Sequence, residues 1–520
     1  MPKIKGQSGP IVLLILDGWG IQKESTGNAI KLAQTPFYDS LIKQYPHTQI
    51  KAHGKYVGLP AGQVGNSEAG HMNIGAGRVV EQDVVKINRL IKEGKFFQNQ
   101  TFKKALDNTR QNQSDLHLMG LLSDKMSPHS STAHILALLK LAREKKVKNV
   151  YLHLFTDGRD SFPYEAIKLI SRLEKKLRKN EKIATVIGRF YAMDRNKKWR
   201  RTKIAYEALV SGRAQEVKDW KNAISRYYTK GITDEYIKPL ILKNIASESR
   251  IKDKDSLIFF NLRSDRARQL TKPFVQKNFL EKNKNAFTRE KILKNIIFVA
   301  MTNFGPDLGP TLTAFPEEPI KKTLPEAVKT RQIYLAESEK YAHVTYFFNG
   351  GHKKKLGREE YYMIPSPQVR SYAETPAMKT RELSRELIKR AESGKYDLLV
   401  INWAAPDMVG HTGDLQAAIK CCEVVDKSLA RIVPAIKKLN GKLLITADHG
   451  NVEKLIDLET GKINTKHTTN PVPLILVSSE LKKYRLQKNG ALCDLAPTIL
   501  DLLNLKKPSE MTGKSLIRAC

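Results

Sequence analysis

Two short apolar runs near opposite ends of the chain finish in the same way. Ile11–Leu16 stops at Asp17 in LDGWG, and Leu443–Thr446 stops just before Asp448 and His449 in TADHGN. An apolar run of this length closing on a carboxylate or an imidazole reads as a buried strand. It delivers a polar side chain to the carboxyl edge of a sheet, where open α/β sheets place their sites. Similar runs are Leu116–Leu121, Val150–Phe155, Ile183–Ile187, Leu257–Phe260, Ile296–Met301, Leu398–Ile401 and Pro473–Val477. Helical periodicity marks Ile135–Ala142, Ala166–Leu177 and Ala417–Ile432. Alternation of this kind predicts a parallel α/β architecture.

The chain has 520 residues, more than one core usually serves, so two domains are expected. Metal-ligand residue types lie in the first part of the chain and in its last third, with arginine-rich motifs between them. An insertion explains that distribution. One discontinuous domain is expected over about residues 1–81 and 315–520, with a second domain inserted over about 82–314.

Composition narrows the function classes. Hydrophobic content is 41% and charged content 27%, as in globular chains. No stretch approaches the ~20 apolar residues of a membrane span. Ile11–Leu16 is too short for a signal-peptide core, so a cytoplasmic protein is expected. Cys421, Cys422, Cys493 and Cys520 show no C-x-x-C spacing, which argues against a zinc knuckle or a redox motif. The net charge of +36 is spread over short groups such as Lys145–Lys146, Lys175–Lys176, Lys197-Lys198 and Lys353–Lys355. With no RNA-module signature beside it, that charge reads as a solvated surface that gathers anionic substrates rather than as a nucleic-acid interface.

The first chemical constellation is Asp17, Ser67, Asp407, His411, Asp448, His449 and His467. Asp407 and His411 stand four residues apart in NWAAPDMVGHTG, and His467 lies in KHTTNPVP. Any one Asp after a strand is more often a helix cap or a turn former. Three Asp and three His at or just beyond strand ends are a donor set for Mn2+, Zn2+, Co2+ or Mg2+, and the lack of thiolate argues against structural zinc. Paired ions of this kind clamp both oxygens in phosphoryl displacement. Ser67 sits in the glycine-rich GQVGNSEAGHMNIGAGR. Alone it reads as a helix cap; beside a metal it becomes a nucleophile candidate.

The second constellation is basic. Arg159 and Asp160 (TDGRD), Arg189 and Arg195 (GRFYAMDR), and Arg263 and Arg266 (FFNLRSDRAR) follow three apolar runs. Converging arginines suit a small polyanion, while the plainer reading of each is a surface ion pair. Asp160 and His129 are the acid–base candidates here, and Lys340 in AESEKYAHVT is a surface lysine or a phosphoryl-binding one.

In this order the motifs LDGWG, GNSEAGHMNIGAGR, TDGRD, GRFYAMDR, NLRSDRAR, ESEKYAHVTYFFNGG, PDMVGHTGD, TADHGN and KHTTNPVP resemble the cofactor-independent (2,3-bisphosphoglycerate-independent) phosphoglycerate mutases of the alkaline phosphatase-like superfamily. The tail LCDLAPTILDLLNL is similar to that superfamily's closing strand–helix segment. The resemblance spans almost the whole chain. It implies an alkaline phosphatase-like α/β domain carrying an inserted α/β substrate domain. It also implies interconversion of 3-phosphoglycerate and 2-phosphoglycerate through a phosphoserine.

By the same resemblance, Asp407, His411 and His467 match the ligands of one metal. Asp17, Ser67, Asp448 and His449 match those of the other, with Ser67 phosphorylated. His129, Arg159, Asp160, Arg189, Arg195, Arg263 and Arg266 match the substrate-binding set, and Lys340 a lysine near the phosphoryl group. Asp160 would protonate the leaving alkoxide, and closing of the two domains would exclude water. The implied cofactors are two divalent ions, Mn2+ or else Mg2+ or Co2+, with no bisphosphoglycerate. A monomer acting on a small phosphorylated substrate is expected. A related metal-dependent phosphatase or phosphopentomutase would share the ligands but not need the arginine set.

Two stretches depart from the family pattern. SDGGVHS is replaced by SDKMSPHSS, so Lys125, Met126 and Pro128 alter the backbone before His129. NGGHKKKLGREE carries Lys353–Lys355 after the glycine pair, a change expected to touch only a surface loop.

Overall fold

The computed structural model describes residues 9–519 apart from 125, 126, 310, 317 and 481–483, so the altered Lys125 and Met126 lie outside the described residues. The chain divides into two compact units, Met1–Gln82 with Glu318–Cys520, and Asp83–Glu317.

In the first unit, the described residues form a sheet of seven strands in the order Glu359–Ile364, Gln332–Glu337, Leu398–Trp403, Ile11–Leu16, Lys442–Thr446, Val472–Val477, His47–Ile50. The first five run parallel, and Val472–Val477 pairs antiparallel with its neighbours on both sides. Every residue of Ile11–Leu16, Leu398–Trp403 and Lys442–Thr446 is buried. Continuous apolar runs are what a central parallel strand covered on both faces requires. The long helix Leu415–Lys438 supplies part of that cover through Cys421, Cys422, Val425, Leu429, Ile432 and Ile436.

The second unit holds a sheet of eight strands among the described residues, ordered Leu312–Thr313, Ile297–Ala300, Ser256–Phe259, Leu116–Leu122, Val150–Thr156, Glu181–Gly188, Leu240–Leu242, Gln215–Val217. All neighbours are parallel except Glu181–Gly188 with Leu240–Leu242. Two apolar clusters lie in this unit, one containing Leu118, Leu152 and Ile258, the other Met119, Phe155 and Phe259. The alternation of side chains along each strand produces that division. The architecture is α/β in both units. Among the described residues, no helix is long and apolar enough to cross a membrane.

Candidate active site

In the first unit, three adjacent parallel strands end at one edge, and each passes directly into a candidate ligand. Ile11–Leu16 is followed by Asp17, Lys442–Thr446 by Asp448 and His449, and Leu398–Trp403 by the short helix Ala405–Gly410. That helix carries Pro406 and Asp407 in its first turn and is capped at its C-terminal end by His411. The next parallel strand, Gln332–Glu337, leads into Lys340. His467 lies on the segment joining Lys442–Thr446 to the antiparallel Val472–Val477.

Ser67 is the first residue of the helix Ser67–Ala76, and the cap is Asn66, whose side chain accepts from Ala69 N–H at 2.9 Å. Capping by Asn66 leaves the Ser67 hydroxyl free for other partners. Its Oγ lies 2.8 Å from Lys340 Nζ, 2.9 Å from His449 Nε2 and 3.3 Å from Asp17 Oδ1. Lys340 Nζ also donates to Asp17 Oδ1 and to Asp407 Oδ2, both at 2.7 Å. Asp17, Ser67, Lys340, Asp407, Asp448 and His449 are all buried. His467 Nε2 lies 3.1 Å from Asp407 Oδ1 and 3.0 Å from His411 Nε2, and its ring stacks on His449 with centroids 3.8 Å apart. The outer imidazole nitrogens are fixed by carbonyls: His467 Nδ1 on Gly65 O and His411 Nδ1 on Thr465 O, each at 2.8 Å. Both rings therefore turn Nε2 inward toward Asp407, the orientation typical of metal-ligating histidines.

Among the described residues, three groupings of side chains could hold a cation: Asp407, His411 and His467; Asp17, Asp407 and His449; and Asp17, His71 and Asp448. The third differs in kind. His71 Nδ1 sits 2.9 Å from Ser67 O and 3.3 Å from Asp448 Oδ2, while Nε2 faces the Asn402 amide at 3.0 Å. With Nδ1–H donating and Nε2 accepting, both nitrogens are engaged, and His71 orients Asp448 instead of offering a lone pair. Asn402 also donates to Asp17 Oδ2 at 2.7 Å, and Asn451 to Asp407 Oδ1 at 2.9 Å. These orienting side chains carry no signal in the apolar-run pattern. His71 alone shows one, standing one helical turn after Ser67.

The carboxylates do not behave alike. Burial, reinforced by Asp448, pushes Asp17 up to about 7 against the pull of Lys340. Against the cost of burial, Lys340, His449 and His467 hold Asp407 well below the usual range. His449, His71 and Lys340 do the same for Asp448. Burial lowers His449 to about 3, so its ring is neutral near pH 7. Burial opposes the Lys340 charge, but Asp17, Asp407 and Asp448 overcome it and keep the ammonium protonated.

In the second unit, four adjacent parallel strands end at one edge, and the segments beyond carry His129, Arg159 and Asp160, Arg189, and Arg263. Arg189 is buried, with Nη1 2.5 Å from Asp157 Oδ1 and 2.8 Å from Asp160 Oδ2. Asp157 Oδ1 also accepts the backbone N–H of Arg159 at 3.2 Å and of Asp160 at 3.0 Å, and the Ser123 hydroxyl donates to Oδ2. Asp157 thus shapes the turn that presents Arg159 and Asp160 and clamps Arg189. Ser127 donates to Asp160 Oδ2 at 3.1 Å, and His129 Nε2 lies 4.0 Å from the same oxygen. Burial and the nearby Arg189 lower His129 to about 4, and its buried Nδ1 has no partner among the described residues. Arg266 donates to Met193 O at 3.3 Å, and its pKa is lowered by burial and by Arg189, Arg195 and Arg159 around it. Arg195 pairs with Asp265 at 2.7 Å but remains half-exposed, as does Arg159, 3.8 Å from Glu235. The structure therefore groups these arginines with His129 and Asp160 at one sheet edge, and it adds Asp157, Ser123 and Ser127, which the motif reading did not single out.

A sheet edge that collects buried carboxylates, imidazoles and a serine on one lysine defines a metalloenzyme-type centre. The profile of the metalloenzyme superfamily matches residues 9–507. The chain is 47% identical over 516 residues to 2,3-bisphosphoglycerate-independent phosphoglycerate mutase 1 of Methanosarcina acetivorans, covering 98% of each chain. It is 48% identical over 515 residues to the 2,3-bisphosphoglycerate-independent phosphoglycerate mutase of Clostridium kluyveri, covering 98% of this chain and 99% of that one. Among solved structures it is similar to Leishmania mexicana phosphoglycerate mutase determined at low cobalt concentration. That match has a TM-score of 0.74 and 29% identity, and covers 100% of this chain and 99% of the other. The chain belongs to the 2,3-bisphosphoglycerate-independent phosphoglycerate mutases of the metalloenzyme superfamily, which are isomerases of glycolysis.

Proposed function

We propose that the interconversion of 3-phosphoglycerate and 2-phosphoglycerate proceeds here through phosphorylation of Ser67. Asp407, His411 and His467 would hold one divalent ion, and Asp17, Ser67, Asp448 and His449 the other. The observation that carries the reading is the convergence on one hydroxyl: Lys340, His449 and Asp17 all lie within 3.3 Å of Ser67 Oγ. The residues fit cations. Three buried carboxylates face one ammonium, and surplus buried negative charge needs a partner. Asp448 Oδ2 is buried, with only the His71 and His449 imidazoles beside it, at 3.3 and 3.5 Å. Oxygen and imidazole donors without thiolate suit Mn2+, the ion proposed, with Mg2+ or Co2+ as substitutes.

When bound, such ions lower the pKa of the serine hydroxyl and neutralise charge on the phosphoryl oxygens. Ser67 Oγ, as its alkoxide with the proton released to solvent, attacks phosphorus in line, the substrate O–P bond breaks, and phosphoserine forms. Lys340, held protonated, balances charge on the phosphoryl oxygens. Asp160 gives a proton to the leaving alkoxide. Arg159, Arg189, Arg195, Arg263 and Arg266 hold the glycerate through its carboxylate and hydroxyls. The neutral His129 uses its unpartnered Nδ1 on a substrate hydroxyl. The other hydroxyl then returns a proton to Asp160 and takes the phosphoryl group as the Ser67 O–P bond breaks. The Asp83–Glu317 unit is the substrate-binding domain in this reading, and the chain is a cytoplasmic monomer whose Cys421, Cys422 and Cys493 are free thiols.

The test is an enolase-coupled assay on metal-replete protein without bisphosphoglycerate, combined with peptide mapping after a substrate quench. Turnover with phosphate on Ser67 is expected. Turnover with Ser67 unmodified, or strict dependence on bisphosphoglycerate, would overturn the reading.

A further inference from the structure

Glu453 lies outside every motif assigned so far, yet it is fully buried four residues beyond His449. Its carboxylate accepts from three separate loops. Gly20 N–H donates to Oε2 at 3.1 Å and Asn451 N–H to the same oxygen at 2.7 Å. Asn470 Nδ2 donates to Oε1 at 3.0 Å, joined there by the Thr468 hydroxyl. Gly20 is three residues past Asp17, Asn451 is two past His449, and Thr468 follows His467 directly. The packing is tight: a Cβ on Gly20 or on Gly450 would lie 2.3 Å from the Glu453 carboxylate. Asn451, oriented by this contact, in turn donates to Asp407 Oδ1.

We infer that Glu453 is a positioning residue that sets the spacing of the Asp17, Asp448–His449 and His467 loops, and thereby the affinity and geometry of both cation sites. The inference rests on the metal reading proposed above. Its physical basis is the number of donors: one rigid acceptor shared by four of them holds three loops in register, which no pair of loop–loop contacts would do. Outer-sphere groups that orient ligands typically change metal affinity by ~10–100-fold when removed.

The experiment is Co2+ titration of metal-stripped full-length protein, followed by calorimetry and by the visible absorption of the bound ion, with thermal melting as a control for folding. Glu453→Ala is expected to bind Co2+ ~10–100-fold more weakly than wild type with an altered visible spectrum. Glu453→Gln keeps the shape and an acceptor for Gly20 and Asn451, so it should recover most of the affinity. Thr468→Val removes one donor without changing volume and should weaken binding several-fold even if the Ala variant does not fold. A folded Ala or Val variant with wild-type affinity and spectrum would overturn the positioning role. So would a Gln variant no better than Ala, because charge rather than hydrogen bonding would then be responsible. Wild-type protein that binds no Co2+ would instead refute the metal reading itself.

Discussion

Lys340 Nζ lies 2.8 Å from Ser67 Oγ while bridging Asp17 and Asp407, each at 2.7 Å. One buried ammonium thus touches the proposed nucleophile and a carboxylate from each of the two proposed cation sites. Its placement follows from strand order, since Gln332–Glu337 lies next to Leu398–Trp403 and two places from Ile11–Leu16.

Replacing the lysine separates its roles. In Lys340→Met the metal-free protein should lose stability, about 3–5 kcal/mol, because Asp17 and Asp407 are left buried without their cation. Mn2+ should restore the melting temperature by supplying positive charge, while mutase turnover stays at least ~100-fold down. Melting curves with and without Mn2+, alongside steady-state rates, decide it. Turnover near wild type would remove Lys340 from the chemistry.

Ser67→Ala deletes the hydroxyl that contacts Lys340, His449 and Asp17. The fold should persist, with a stability change of about 1 kcal/mol per lost contact or less, while mutase activity falls by on the order of 10⁴-fold or more. Circular dichroism and the enolase-coupled assay measure the two effects. Retained turnover would exclude a phosphoserine at this position.

Chelation should abolish activity and lower the melting temperature, and Mn2+ should restore both, since a ligand bound only by the folded state stabilises it by mass action. Acidification should weaken Mn2+ binding as the carboxylates and imidazoles take up protons. Full activity in protein shown by elemental analysis to be free of metal would contradict this.

Arg263 follows the strand Ser256–Phe259 and caps the helix Ser264–Val275. Arg263→Ala should cost about 2–5 kcal/mol of substrate interaction, collapsing isomerisation while phosphate release at Ser67 survives better. The ratio of free phosphate to isomerised product should rise. An unchanged ratio would favour a simple phosphatase.

Glu337 gives a stability prediction away from the chemistry. It is buried, accepts Lys379 N–H at 3.0 Å, and leaves Oε2 without a partner. Burial raises its pKa to about 7 from 4.5. The folded state therefore holds this proton more tightly than the unfolded chain. The associated stability is full below the unfolded value and is lost as pH rises toward 7, by roughly 3 kcal/mol at most. Urea unfolding at pH 5 and pH 8 should show wild type losing more stability than Glu337→Gln. Equal losses would mean that Glu337 ionises at its ordinary pKa.

The α/β class and most central strands were legible in the sequence because a strand buried on both faces must be apolar along its whole length. Ile11–Leu16 and Lys442–Thr446 carry that pattern without interruption apart from Lys442 and Thr446 at the ends. The residue that ends the pattern is the one the strand delivers to the edge, so Asp17, Asp448 and His449 could be picked out locally. Gln332–Glu337 and Glu359–Ile364 were not legible. The first is fully buried, but its terminal Gln332 and Glu337 are polar and bond to backbone groups of Pro325, Val328 and Lys379. The second is a half-buried edge strand. Both break the apolar pattern for reasons that only tertiary contacts supply.

The same division runs through the site. Sequence determined which candidate ligand residues stand at which strand ends. Tertiary structure decided that Lys340, 323 residues from Asp17, lies between two of them, that Asn402 and His71 orient Asp17 and Asp448, and that Glu453 ties three loops together. Those contacts depend on which strands become neighbours in the sheet. That order is set by packing of the whole core and leaves no trace in the spacing of any single motif.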